Sequence, residues 1–143
     1  RAFDMLCERA VSRHVRGSTL AEKQTVQNWV ADSLAEMSAA RLMTLQAAWK
    51  MDREGAAAAR DEIAMIKYYG AGVLYNVIDR AIQVHGALGY STDSQLENMM
   101  RHARSARLVD GADEVHLSQI AQNVIDAFRT DGSTRMATGA GLL

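Results

Sequence analysis

The chain has 143 residues, 48% of them hydrophobic, with ten glycines and no proline, which is enough for one compact domain with its own core and favours helix over sheet. Sixteen basic and seventeen acidic side chains give a formal net charge of −1, which offers no electrostatic attraction to nucleic acid or to an anionic membrane surface. No apolar run approaches the roughly 20 residues needed to cross a bilayer, and because the sequence opens on Arg1 in a helical pattern with no signal-peptide character, it reads as a soluble piece whose natural beginning lies upstream.

Phe3, Leu6, Ala10 and His14 share one helical stripe, so a first helix is expected from Ala2 to about Val15. Gly17-Ser18-Thr19 then reads as a break followed by a capping position. From about Leu20 to Met51, Val26, Val30, Leu34, Met37, Leu45 and Ala48 keep three- and four-residue spacing, while Leu42 and Trp49 form a second apolar flank. That pattern predicts a long helix packed on more than one side. Asp52-Arg53-Glu54-Gly55 supplies a turn, with Gly55 suited to the left-handed residue that closes a helix.

Ala59, Ile63, Ile66, Gly70, Val73, Val77, Ala81 and Val84 continue as a bundle-forming seam, a second long helix. Gly70 and Gly72 inside it suggest a close helix crossing or a ligand approach, since each costs on the order of 1 kcal/mol relative to alanine. Gly86 to Gly89 break the seam. Ser91-Thr92-Asp93 offers caps for a helix to about Arg107 with Leu96, Met99, Met100 and Ala103 inward. Asp110-Gly111 is a turn pair, and Asp113 is the expected cap of a last helix through Val115, Ile120, Val124 and Phe128. The expected architecture is an all-α, up-and-down helical bundle over residues 1–130, with 131–143 as a loose tail.

Most polar features have an ordinary structural explanation. Cys7 reads as a small apolar core thiol, and a single cysteine makes no internal disulfide. His14, His85, His102 and His116 are too scattered for zinc-ligand spacing, so no metal is expected. Arg101, Arg104 and Arg107 read as a solvated basic face. On local sequence alone Asp110-Gly111 is a turn and Arg13 a surface arginine.

Taken together, several segments carry a more specific signal. Arg13-His14-Val15-Arg16-Gly17, Ala81-Ile82-Gln83-Val84-His85-Gly86-Ala87-Leu88-Gly89-Tyr90, Met100-Arg101-His102-Ala103-Arg104 and Asp110-Gly111-Ala112-Asp113-Glu114-Val115 follow one another in order. The chain resembles, over nearly its whole length, the carboxyl-terminal helical domain of acyl-CoA dehydrogenases. That resemblance implies α,β-dehydrogenation of an acyl-CoA thioester to the trans-2-enoyl-CoA with bound FAD, as part of β-oxidation, in a homodimer or tetramer built through this domain, with electron-transfer flavoprotein as electron acceptor. It implies a bacterial cytoplasmic location, with mitochondrion and peroxisome as alternatives.

By the same resemblance, Asp110 stands at the position of the catalytic base that takes the α-proton while hydride leaves the β-carbon for the flavin, and Gly111 meets the substrate. A backbone N–H of the base residue polarises the thioester carbonyl in this family. Arg13 would pair with the flavin diphosphate and Gln24 and Gln83 with the adenine half, while Gly86 admits close backbone approach. Ala112 and Glu114 complete the flavin contacts. The diphosphate and adenine contacts are implied to reach the neighbouring subunit's flavin, and the Asp110 carboxyl is expected to point into a shared crevice on the same side as the Gln83–Gly86 bend, not outward into solvent.

Aspartate is one methylene shorter than the family's common glutamate, a difference of about 1.5 Å that can matter on the order of a hundredfold in rate. However, Asp-Gly-x-Asp-Glu-Val-His, Cys7-Glu8-Arg9-Ala10 and Glu62-Ile63-Ala64-Met65-Ile66-Lys67 resemble a subgroup with aspartate as its base. Arg16, His102 and Ala112 replace the usual phenylalanine, aspartate and threonine. Without the rest of such an enzyme the fragment is expected to be inactive. Two other readings are a non-catalytic oligomerisation module of the same fold and a flavin monooxygenase relative.

Overall fold

The computed structural model describes residues 1–134. It is an all-α bundle with one small hairpin: α1 (Ala2–Ser12), β1 (His14–Val15), β2 (Ser18–Thr19), a 3-10 turn (Leu20–Glu22), α2 (Gln24–Glu54), α3 (Arg60–His85), α4 (Ala87–Tyr90), α5 (Gln95–Ala106) and α6 (Asp113–Asp131). Among the described residues no helix is long and apolar enough to cross a membrane. The expected loose tail lies mostly outside the described residues; within them, α6 runs to Asp131 and closes on Gly132 in the left-handed conformation.

α3 is the central rod and packs against α1, α2, α5 and α6. Its expected seam is the buried one at Ala59, Val73, Val77, Ala81 and Val84, and Ala64, Ala71 and Ile78 bury further faces because neighbours surround it. Leu6 on α1 and Leu96 and Ala103 on α5 are wholly buried against it, with Met99 and Met100 partly so. Long-range polar pairs fix the directions. Lys50 meets Glu62 and Glu36 meets Arg80, so α2 and α3 run antiparallel. Asn123 meets Asp61 while Lys67 meets Gly111, so α6 descends along α3.

α1 ends at Ser12, three residues earlier than its stripe suggests. Arg16 and Gly17 both take positive φ, 52° and 82°, forming the two-residue primed turn whose twist suits a tight hairpin; His14 pairs with Thr19 and Val15 with Ser18. Thr19 then donates its backbone N–H and its hydroxyl to the Glu22 carboxylate, each at 2.9 Å, and these bonds hold Glu22 below the usual carboxylate range. Gly55 closes α2 at φ 85°.

Other expectations are corrected. The cap of α5 is Ser94, whose Oγ accepts from the Leu96 N–H at 3.1 Å, not Ser91, Thr92 or Asp93. Asp113 does not cap α6. Ala112 holds that position without a side-chain cap, because Arg107 draws the Asp113 carboxylate into an ion pair at 2.6 Å. That pair also takes Arg107 off the solvated arginine face. A Cβ built on Gly70 or Gly72 meets nothing within 4 Å, so no crossing among the described residues requires either glycine.

The apolar positions of α2 are only partly used. Val26 and Ala47 are buried, but Leu34, Leu45 and Leu42 are exposed, as is Trp49 with Arg53 stacked 5.0 Å over its ring. α6 leaves Val115, Leu117, Ile125 and Phe128 exposed.

Candidate functional site

Two places in the fold gather the residues singled out by the motifs, and α3 separates them. The first is an open groove of about 560 Å³ where α1, the hairpin, the start of α2 and the end of α3 converge. Arg13 lies just past α1, its backbone fixed on both sides: its N–H donates to the Arg9 carbonyl at 3.0 Å and its carbonyl accepts from Leu20 at 2.9 Å. Gln83 comes from the last turn of α3. Gly86 follows with φ 65° and ψ −142°, a region open in practice to glycine alone. Arg13, Gln83 and Gly86 therefore line one groove.

Gln24 does not join them. It is exposed on the first turn of α2 and donates to Asn28 at 3.1 Å, whereas Thr25 and Trp29 from the same turns do line the groove. Sequence reasoning also missed Arg9 in the last turn of α1, whose carbonyl accepts the Arg13 N–H and whose side chain lines the same groove. Its Nε is buried with no partner. Among the described residues neither guanidinium of this pair has an anionic partner, which leaves two forked cations facing one groove and fits an anion carrying several oxygens. His85 lines the groove too, its Nδ1–H donating to the Ala81 carbonyl at 2.8 Å.

Gly89 explains the shape of the rim. A Cβ there would lie 2.8 Å from the Ile82 carbonyl oxygen and 2.9 Å from the His85 Cβ. Only glycine lets α4 fold back over the end of α3, and that fold carries Gly86, Ala87 and Leu88 around the groove.

The second place is the bend between α5 and α6. Asp110 and Gly111 both take positive φ, 55° and 94°; aspartate is among the few non-glycine residues that accept this conformation. Arg107 and Asp113 close the neck of the bend by their ion pair and by the Asp113 N–H to the Arg107 carbonyl at 3.3 Å. The hydrogen bond to Asp113 raises the Arg107 guanidinium above its ordinary range. Lys67 of α3 donates to the Ala106 carbonyl at 2.6 Å and to the Gly111 carbonyl at 3.3 Å. His116 donates from Nε2 to the Asp110 carbonyl at 3.2 Å.

Asp110 is exposed, and among the described residues its carboxyl has no partner. Ala112 is half-buried at the start of α6, and Glu114 is exposed in its first turn. Sixteen residues of α3 separate Lys67, which touches the bend, from Gln83, which lines the groove, and at 1.5 Å per residue this is about 24 Å. A single copy of the chain therefore does not bring Asp110 and Gln83 into one crevice: the carboxyl is exposed and lies along α3 from the glutamine bend, which differs from the expected enclosed carboxyl beside that bend.

Elsewhere, Cys7 is half-buried, with burial and then Asp4 pushing its thiol up. Among the described residues no three His, Cys, Asp or Glu side chains converge as a metal site would need.

Comparison with known proteins adds an independent line. The family model described as acyl-CoA dehydrogenase, C-terminal domain, matches residues 1–125. Acyl-CoA dehydrogenase family member 11 of Rattus norvegicus is 48% identical over 122 residues, 85% of this chain and 16% of that protein. The solved structure of butyryl-CoA dehydrogenase from Megasphaera elsdenii superposes with a TM-score of 0.80 at 27% identity, over 87% of this chain and 32% of that one. A crystal structure of an FAD-dependent dehydrogenase superposes with a TM-score of 0.80 at 26% identity, over 85% of this chain and 32% of that one. The chain thus spans less than a third of the length of each of these three.

Proposed function

The chain belongs to the acyl-CoA dehydrogenase family, matching its C-terminal domain, and on that premise we propose that it supplies the catalytic base and a phosphate cradle to an enzyme that oxidises an acyl-CoA thioester to the trans-2-enoyl-CoA. The observation that carries this reading is the placement of the two clusters at opposite ends of α3. One copy offers Asp110 to its own flavin and substrate at one end, and Arg9, Arg13, Gln83 and Gly86 to a neighbouring copy's flavin at the other. The separation of Asp110 from Gln83 within one chain is compatible with the two clusters serving different flavins.

The residues present fit FAD. Arg13 and Arg9, which line the same groove, would take the diphosphate oxygens with the terminal nitrogens of their guanidinium forks. Gln83 hydrogen-bonds the adenine half, and Gly86 lets the backbone come close. Gln24 is the weakest member of this set, because its amide is engaged with Asn28 and must release it to reach the ligand. When bound, FAD accepts the hydride from the substrate β-carbon.

At the other end, the Asp110 carboxylate removes the α-proton and holds it as the neutral acid. The backbone N–H of Asp110 donates to the thioester carbonyl as negative charge builds there. Gly111, lacking a side chain, lets the acyl group lie against the bend, while Ala112 and Glu114 border the flavin. The aspartate at this position fits the aspartate-base subgroup that the surrounding motifs resemble. Its exposure here is that of the domain alone; substrate, flavin and the other domains close the site.

The exposed apolar faces of α2 and α6 are free to be buried against further copies or the enzyme's other domains, and the resemblance to the family supports a homodimer or tetramer through this domain with an electron-transfer flavoprotein as acceptor. The experiment uses the full-length protein. It should carry flavin absorbance that bleaches anaerobically on addition of one of butyryl-, octanoyl- or palmitoyl-CoA, and Asp110→Asn should keep the flavin and lose the bleaching. Bleaching by Asp110→Asn at the parent rate overturns the base assignment, and absence of bleaching in the parent with every acyl-CoA overturns the activity.

A further inference from the structure

We propose that Lys67 and His116 are positioning residues for the reaction, a two-point clamp on consecutive backbone carbonyls that holds the Asp110–Gly111 bend in its working shape. This rests on the reading of Asp110 as the base and extends it to two residues that touch neither flavin nor substrate.

The argument starts from the backbone. Asp110 and Gly111 both take positive φ in succession, and although aspartate tolerates that conformation better than most side chains, it remains a minority state that neighbouring bonds help to hold. The hydrogen-bonding partners that do so here are few. The Asp110 carbonyl accepts from His116 Nε2 at 3.2 Å, and the Gly111 carbonyl accepts from Lys67 Nζ at 3.3 Å. The same ammonium holds the Ala106 carbonyl at the end of α5 at 2.6 Å, so Lys67 ties the bend to α5 and to the central helix at once. The Arg107–Asp113 pair closes the neck but touches neither carbonyl of the bend.

Packing does not substitute for these bonds. His116 borders an open cavity of about 400 Å³ with Arg60, Gln119 and Asn123, and its hydrogen bond to the Asp110 carbonyl ties the ring to the bend. A Cβ at residue 111 would meet His116 Nε2 at 3.0 Å; the bend and the imidazole are in direct contact. The clamp acts on both parts of the base residue, because turning the peptide planes of the bend swings the carboxylate and also re-aims the Asp110 N–H.

The test is made in full-length flavoprotein with whichever of butyryl-, octanoyl- or palmitoyl-CoA the parent oxidises fastest. His116→Leu keeps bulk and loses the donor, His116→Gln keeps an N–H donor at similar reach, and Lys67→Met keeps the aliphatic stem. For His116→Leu and Lys67→Met the expected result is full flavin content with kcat per flavin lowered roughly tenfold to a hundredfold, KM within about threefold of the parent, and a larger isotope effect with α-deuterated substrate. His116→Gln should recover most of the rate. A merely structural role would lower flavin content and melting temperature while leaving the per-flavin bleaching rate and the isotope effect unchanged, and that outcome in His116→Leu overturns the clamp. Asp110→Asn in the same series separates the two claims. If it bleaches as fast as the parent, the reading of the base fails and the clamp with it; if it is inactive while His116→Leu and Lys67→Met match the parent, the base stands and the clamp is wrong.

Discussion

Arg80 and Glu36 meet through two parallel hydrogen bonds of 2.8 and 2.9 Å between α3 and α2, and the same guanidinium reaches the fully buried Ser33 hydroxyl at 3.1 Å. The bonds to Glu36 hold the guanidinium above its ordinary range, so Arg80 stays charged at any working pH. Both partners are less than a third exposed. Arg80→Met leaves the Glu36 carboxylate and the Ser33 hydroxyl without their donor, and the expected cost is about 2–3 kcal/mol. For a domain of this size that is a drop in Tm of about 5–10 °C. Thermal unfolding followed by circular dichroism checks it, and a change under 1 °C would show that the fork contributes nothing net.

Gly89→Ala puts a methyl group against the Ile82 carbonyl oxygen, a backbone atom that cannot move aside without disturbing the end of α3. The expected destabilisation is about 1–3 kcal/mol, and because α4 carries the rim of the groove, flavin retention should fall with it. Gly70→Ala is the control: its new methyl group meets nothing, it removes a helix-interior glycine, and the isolated domain should gain up to about 1 kcal/mol. Equal Tm values for the two variants would refute the role assigned to Gly89.

These glycines show where the sequence speaks and where it does not. Periodicity located α3, α5 and α6 because a helix must place its apolar residues every three or four positions. It could not say which apolar face of α2 is covered by this chain, and Leu34, Leu42 and Leu45 lie open although they keep the right spacing. The hairpin and α4 escaped because two-residue strands and a single helical turn have no period to read. Among the motif residues, Arg13, Gln83 and Gly86 do converge, and Asp110 does sit on a bend with Gly111. The contacts that hold this bend join Lys67 to residues 39 and 44 positions away; nothing in local sequence marks a lysine as a partner of backbone so distant. Arg9 was closer to legible, being one helical turn before Arg13.

Glu22 gives a pH prediction with a definite sign. Its folded-state pKa is lowered, chiefly by the Thr19 backbone N–H and then by the Thr19 hydroxyl, so the ionised form is the one the fold prefers. The stabilisation it provides is complete above the ordinary glutamate range, about pH 4.3, and is lost as pH falls through the lower folded value. The Tm difference between the parent and Glu22→Gln should therefore be constant from pH 6 to 8 and shrink on acidification below about pH 4. A difference that grows with acid would show that the carboxylate does not hold this turn. The group is surface-exposed, so the effect should be small and best seen at low salt.

Arg9 and Arg13 bear on the cofactor. If both guanidiniums take the diphosphate, removing either charge-assisted contact should cost about 1.5–3 kcal/mol of binding free energy, which is roughly 10- to 100-fold in Kd. Arg13→Gln and Arg9→Gln, each in the deflavinated full-length protein, should weaken FAD binding by that factor in a fluorescence titration, with the weaker salt dependence expected when a cation that neutralises an anion is removed. Because the two forks act on one anion, the double variant should lose less than the product of the two single losses. Arg9 is the sharper case, since it is only partly exposed and no carboxylate among the described residues neutralises it. Parent-like affinity in Arg9→Gln alongside a large loss in Arg13→Gln would show that, of the two, only Arg13 holds the diphosphate.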